Sequence, residues 1–339
     1  MRALVNEHVD AGSVPAPSRE AASFHAAMPG YAPTPVHELP DVARALGVGA
    51  VLVKDESSRL GLPAFKILGA SWAVERALRE RPGAHTLVTA SAGNHGRAVA
   101  RVAAMRGLGC RVFLPERSLT VRREAIASEG ADVVVVSGSY EDAVAAADEA
   151  ARGPGVLAVA DVGEGGPAEW VIDGYATLFD EAHAQAEYDV LVVPVGVGSL
   201  AAAAARHGAA TVRKVVAAEP AGAACLTASL AAGRPTIVET PGTIMAGLDC
   251  AEISPFAWPT LRAGIHGAVT VTDDEARAAM DELAAAGLTI GESGAASLAA
   301  LRTLVTAPES ADLRRALGLD ESTRVLLVAT EGRTGERVS

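Results

Sequence analysis

Lys66 lies in the apolar run Ala64-Phe65-Lys66-Ile67-Leu68-Gly69-Ala70, and downstream the chain reads Ser91-Ala92-Gly93-Asn94-His95-Gly96. An amine among Phe65, Ile67 and Leu68 loses hydration. Desolvation lowers a lysine from about 10.4 toward the range in which it attacks carbonyls. The plainer role for the same residue is a lysine snorkelling from a helix. Ser91–Gly96 follows an apolar run and opens a helical one, so its backbone N–H groups and the helix dipole favour a carboxylate or phosphate. Gly93 and Gly96 let the backbone approach a ligand closely, and Asn94 offers a hydrogen bond to a phenolate-type oxygen. The plainer role is an ordinary βα turn.

Pro194-Val195-Gly196-Val197-Gly198-Ser199-Leu200 is a second glycine-rich turn of this kind, suited to a phosphate by the same physics. A rival reading applies here. Gly196-x-Gly198-x-x-Ala201 fits a dinucleotide fingerprint, and Glu219 ends the next strand-like run where a ribose-binding acid belongs. That reading leaves Lys66 and the first loop without a role.

These loops need strands and helices to hold them. From residue 86 onward, short β-type runs at Thr86–Ala90, Cys110–Leu114, Asp132–Val136 and Val156–Ala160 alternate with helical stretches. The helices are expected at Gly96–Gly107, Leu119–Gly130 and Tyr140–Arg152, with Gly107 and Gly130 as stops. A longer helix is expected over Trp170–Ala184. A second series follows, with strands at Asp189–Val195, Arg213–Ala218 and Arg324–Thr330 and helices at Leu200–His207, Asp273–Ala286 and Gly294–Val305. Such alternation predicts an α/β fold of right-handed βαβ crossovers and mostly parallel sheets flanked by helices. Two domains are expected: residues 1–80 with 168–339, and a small βα domain of residues 81–167 inserted between. The breaks fall near Arg81-Pro82-Gly83 and at Gly163-Glu164-Gly165-Gly166-Pro167.

The chain has 339 residues, half of them hydrophobic and 4% aromatic, with a formal charge of −12. No run of Lys or Arg is long enough to follow a phosphate backbone, so nucleic acid and anionic membranes are poor partners. No apolar stretch approaches the length of a membrane span or signal peptide, which predicts a cytoplasmic protein. Cys110, Cys225 and Cys250 are scattered, without zinc or disulfide spacing.

Together the motifs resemble the pyridoxal-phosphate enzymes of the tryptophan synthase β, or fold type II, group. The likeness within that group is greatest to the diaminopropionate ammonia-lyases. It runs from Lys54 to Thr334, through Lys54-Asp55-Glu56-Ser57, Ala64-Phe65-Lys66, Gly93-Asn94-His95-Gly96-Arg97, Asp173-Gly174-Tyr175-Ala176-Thr177-Leu178, Thr243-Ile244-Met245-Ala246-Gly247-Leu248, Gly291-Glu292-Ser293-Gly294-Ala295 and Thr330-Glu331-Gly332. The resemblance implies that Lys66 carries pyridoxal phosphate as an internal aldimine. Gly196, Val197, Gly198, Ser199 and Leu200 would bind the phosphate, Asn94 the ring hydroxyl, and Thr330 would face the pyridine nitrogen. Ser91, Ala92, Gly93, Asn94 and His95 would bind the substrate carboxylate. Asp161 matches an aspartate that removes the α-proton; its plainer role is a strand-end cap. A homodimer is implied by the family alone.

Two departures bear on the substrate. The ammonia-lyase pattern has an acidic residue at Ala92, serving as base for the opposite enantiomer, and another acid where this chain has Arg333. Arg333 fits either a second substrate carboxylate or a solvated surface position. Glu219 resembles a cation site of some dehydratases, but no second carboxylate accompanies it and no metal is expected. The expected activity is β-elimination from a small β-substituted amino acid through aminoacrylate, giving a 2-oxo acid and ammonia. A serine or threonine dehydratase and a β-replacement synthase are the alternatives within enzymes. A non-catalytic cofactor- or dinucleotide-binding protein is the alternative outside them.

Overall fold

Residues 2–160 and 166–333, which the computed structural model describes, sort their β-forming runs into two sheets. In chain order the strands are β1 (Ala3–Val5), β2 (Val36–Glu38), β3 (Ala50–Asp55), β4 (Thr86–Ala90), β5 (Gly109–Pro115) and β6 (Asp132–Val136). They continue with β7 (Val156–Ala158), β8 (Val190–Pro194), β9 (Lys214–Pro220), β10 (Gly267–Val271) and β11 (Arg324–Ala329). One sheet has the order β1-β10-β9-β8-β11-β3-β2 and the other β6-β5-β4-β7. The second is parallel throughout. The first is parallel except at its edges, where β1 and β2 run antiparallel to their neighbours.

Each sheet belongs to its own compact unit: one runs to Phe65 and resumes at Ala176, and the other spans Lys66–Tyr175. These limits differ from the sequence-drawn ones because helix Lys66–Glu80 packs on helix Asn94–Arg106, and so goes with the second sheet.

In the first unit every residue of β8 and β10 is buried, as a parallel sheet covered on both faces requires. Helix Glu292–Thr306 lies against β8, β9, β10 and β11. It turns Leu298, Leu301 and Leu304 into the core, where each buried leucine contributes roughly 1.5–3 kcal/mol. Helix Asp273–Ala285 packs on it, started by a capping box in which Thr272 and Glu275 satisfy each other's backbone N–H groups.

The sequence reading did not anticipate β1, β2, β3 or β10. The edge strands are three residues long, and β3 carries a charge, Lys54, inside its apolar run. Lys54 Nζ donates to Glu181 Oε2 and to the Thr34 carbonyl, both at 2.7 Å. Arg59 binds the same Glu181 at 2.7 and 2.8 Å and also pairs with Glu56. Two cations thus meet two carboxylates, with hydroxyls from Thr34 and Tyr31 completing the set. This accounts for Lys54-Asp55-Glu56 as an internal brace.

In the second unit Val88, Phe113, Ala143 and Ala147 form the core. Helix Tyr140–Ala151 begins at a Ser139–Asp142 capping box and packs on β4 and β5. The helix expected to run to Gly130 ends earlier, as Thr120–Ala127. Among the described residues no helix is long and apolar enough to cross a membrane.

Candidate active site

The first unit carries the second glycine loop. β8 ends at Pro194 and helix Ser199–Thr211 begins directly after Gly198, which has φ 98°. That left-handed conformation suits glycine. A Cβ on Gly198 would stand 2.6 Å from Leu261, and one on Gly196 would stand 2.8 Å from the Gly247 carbonyl. Both positions therefore exclude side chains, and the backbone of Gly196–Gly198 is left as the loop's surface. The helix has no acidic residue in its first turn and no side-chain cap. Its N-terminus is thus left to an anion.

Glu219 does not serve a ribose here. Both carboxylate oxygens are taken by the Leu226 and Thr227 backbone N–H groups, at 2.7 and 2.8 Å, and by the Thr227 hydroxyl at 2.6 Å. It caps helix Cys225–Ala232 from outside. Burial pushes its carboxyl up to about 7 against the pull of those donors. Without that acid the dinucleotide reading of Gly196–Ala201 loses its second half.

The same unit gathers three of the motifs. Thr330 follows β11, is buried, and its carbonyl accepts the Phe65 N–H at 3.4 Å. Glu331 bridges antiparallel to Ala64, so the residues just before Lys66 are tied to the strand end that bears Thr330. Ser293 and Gly247, given no role by the sequence, lie beside Glu331. Arg333 is a surface residue 4.0 Å from Asp281, both largely exposed.

The second unit carries Lys66 and the first glycine loop. Lys66 opens helix Lys66–Glu80, half-buried, with Nζ 6.0 Å from the centroid of the Tyr175 ring. A Cβ on Gly174 would strike the Leu68 carbonyl at 2.5 Å, so this helix and Pro167–Gln185 touch through backbone at that glycine. The motif Asp173–Leu178 is explained by that contact. The chain has two other lysines, and both serve the first unit. Lys54 belongs to the internal brace, and Lys214 Nζ donates to the carbonyls of Ala316 and Leu317 at a helix end.

Gly93 precedes helix Asn94–Arg106, which again lacks a side-chain cap and an acidic first turn. The Gly93 N–H donates to Ser91 Oγ at 3.3 Å. A Cβ on Gly96 would come within 2.3 Å of the Ser91 carbonyl, so the turn closes only on glycine. Ser91, Ala92 and Asn94 are half-buried and Gly93 is exposed. The His95 ring Nε2 lies 2.9 Å from the Val159 carbonyl. Asp161 lies outside the described residues.

Each unit therefore presents a helix N-terminus without a side-chain cap behind a glycine turn, and the second also carries Lys66. Comparison with known proteins gives this arrangement a family. The family model "Pyridoxal-phosphate dependent enzyme" matches residues 27–331. The diaminopropionate ammonia-lyase of Salmonella typhimurium is 34% identical over 93% of this chain and 89% of its own length. The biosynthetic L-threonine dehydratase of the same organism is 30% identical over 80% of this chain and 52% of its own. The crystal structure of Escherichia coli diaminopropionate ammonia-lyase in complex with an aminoacrylate–pyridoxal-phosphate azomethine intermediate superposes with a TM-score of 0.89 and 31% identity. It covers 98% of this chain and 94% of that one. Loops, lysine and likeness point one way: this chain belongs to the pyridoxal-phosphate dependent enzymes.

Proposed function

We propose that the protein is a pyridoxal-phosphate dependent lyase that eliminates the β-substituent of a small amino acid, with 2,3-diaminopropionate as the first candidate substrate. The observation that carries this reading is the 34% identity to a diaminopropionate ammonia-lyase over 93% of the chain. The side-chain-free cradle at Gly196 and Gly198 fits a phosphate, which supports the cofactor assignment independently.

When bound, the cofactor supplies an electron sink for the bond broken at Cα. The backbone of Gly196, Val197, Gly198, Ser199 and Leu200 holds the phosphate, and Lys66 anchors the aldehyde carbon. Asn94 donates to the ring hydroxyl. Thr330 offers a neutral hydroxyl to the ring nitrogen and so imposes no proton on it. That arrangement favours rapid loss of a β-group over a long-lived carbanion. The Ser91–His95 turn receives the substrate carboxylate at a helix N-terminus. Asp161 or Lys66 takes the α-proton, and the β-substituent leaves from the neighbouring carbon. The products are a 2-oxo acid and ammonia. A cytoplasmic homodimer is the form that accompanies this reading.

A second reading, dehydration of serine or threonine, is favoured by the likeness to a threonine dehydratase. Ala92, where the ammonia-lyase pattern has an acid, further predicts action on one enantiomer. A panel of L- and D-amino acids bearing β-amino, β-hydroxy or β-acyloxy groups, followed by 2-oxo acid and ammonia release, tests all three points. Release from one enantiomer of 2,3-diaminopropionate is expected. Release from β-hydroxy substrates alone would replace the first reading by the second, and no release from any would refute both.

A further inference from the structure

Gly247 is held on both sides of its peptide within the first unit. Its N–H donates to Ser293 Oγ at 3.1 Å. Its carbonyl lies 2.8 Å from where a Cβ on Gly196 would stand, so it forms the wall against the phosphate loop. A Cβ on Gly247 itself would stand 3.0 Å from Ser293 Oγ and 3.9 Å from Glu331 Oε2. Ser293 in turn donates its backbone N–H to Glu331 Oε1 at 3.3 Å. Ser293 and Glu331 are 2% and 9% exposed, so water does not substitute for these bonds. The Glu331 carbonyl accepts the Gly291 N–H at 2.9 Å, and Glu331 bridges Ala64, two residues before Lys66. Its carboxylate sits at the N-terminus of helix Glu292–Thr306, where the dipole offsets the charge.

One residue thus joins, by its side chain, the wall of the phosphate loop and, by its backbone, the strand end bearing Thr330 and the segment that leads into Lys66. We propose that Glu331 is a positioning residue for the cofactor, acting through Ser293 and Gly247. Its carboxylate holds the Ser293 backbone N–H and so places that residue, whose hydroxyl accepts the Gly247 N–H and fixes the wall on which Gly196 rests. The proposal rests on the cofactor reading above.

The test is pyridoxal-phosphate affinity and visible circular dichroism of the loaded protein, read on Glu331→Ala, Glu331→Gln and Ser293→Ala. Loss of the acceptor in Glu331→Ala is expected to weaken cofactor affinity about tenfold, the equivalent of one hydrogen bond, and to reduce the visible dichroic band. Glu331→Gln keeps an acceptor oxygen and should return affinity to within about threefold of the parent. Ser293→Ala should lose affinity while keeping the far-ultraviolet spectrum, and it serves if Glu331→Ala does not fold. Unchanged affinity and dichroism in both Glu331→Ala and Ser293→Ala would overturn the proposal. So would a Glu331→Gln as poor as Glu331→Ala, because charge rather than position would then be at work. A parent protein that takes up no pyridoxal phosphate would instead refute the cofactor reading on which the proposal stands.

Discussion

Lys66 stands out in the sequence because its neighbours are apolar, and in the fold it opens a helix. Ser293 and Glu331 were not, since a hydroxyl and a carboxylate acquire meaning only when Gly247, far away in sequence, is folded against them. Glu219 shows the converse: its spacing from Gly196 suggested a ribose acid, but its oxygens are spent on a helix N-terminus nearby. Another residue whose behaviour only folding reveals is His207, buried with Nε2 2.8 Å from the Tyr188 hydroxyl. Burial pulls it from 6.5 down to about 4. Between those values the unfolded chain binds a proton that the folded one excludes. Stability from this site is complete above pH 6.5 and is lost as pH falls toward 4, by about 3 kcal/mol. Denaturant titrations from pH 7 to 4 should show that loss, and His207→Gln should flatten it. An unchanged slope in the variant would place the acid sensitivity elsewhere.

At the scale of elements, the βα turns were readable because an apolar run, a glycine and a helical run follow one another. The edge strands were not, because three residues carry too little periodicity. β3 was hidden by Lys54, a charge that belongs inside only because Glu181 awaits it. The two glycine turns also differ in a way sequence does not disclose. Gly198 has φ 98° with Leu261 against it, whereas Gly93 has φ −114° and open space around its Cβ position. Gly198→Ala should therefore lower stability by about 1–3 kcal/mol and weaken cofactor binding at least tenfold. Gly93→Ala should leave stability within about 0.5 kcal/mol. Thermal melts and cofactor titration check both. Equal effects from the two substitutions would mean that the phosphate loop is not conformationally constrained.

For the whole molecule, the internal brace decides how far charge can be removed from the interior. Lys54 and Arg59 are almost wholly buried, and Glu181 serves both. Glu181→Ala leaves two buried cations short of a partner and should cost roughly 3–5 kcal/mol of stability. Arg44→Ala, which removes an exposed pair with Asp41, should cost less than about 1 kcal/mol. Denaturant midpoints distinguish the two, and comparable losses would show that the brace is weaker than its burial implies. The family and the cofactor were legible at this scale because their motifs are spread from Lys54 to Thr334; the substrate was not, because Ala92 and Arg333 depart from the pattern there. The central claim is that Lys66 anchors pyridoxal phosphate. It is tested most directly by reducing the loaded protein with borohydride and locating the phosphopyridoxyl group by peptide mass spectrometry. The group is expected on Lys66, and Lys66→Ala should take up no label. A label on Lys54 or Lys214, or on no lysine, would contradict the account.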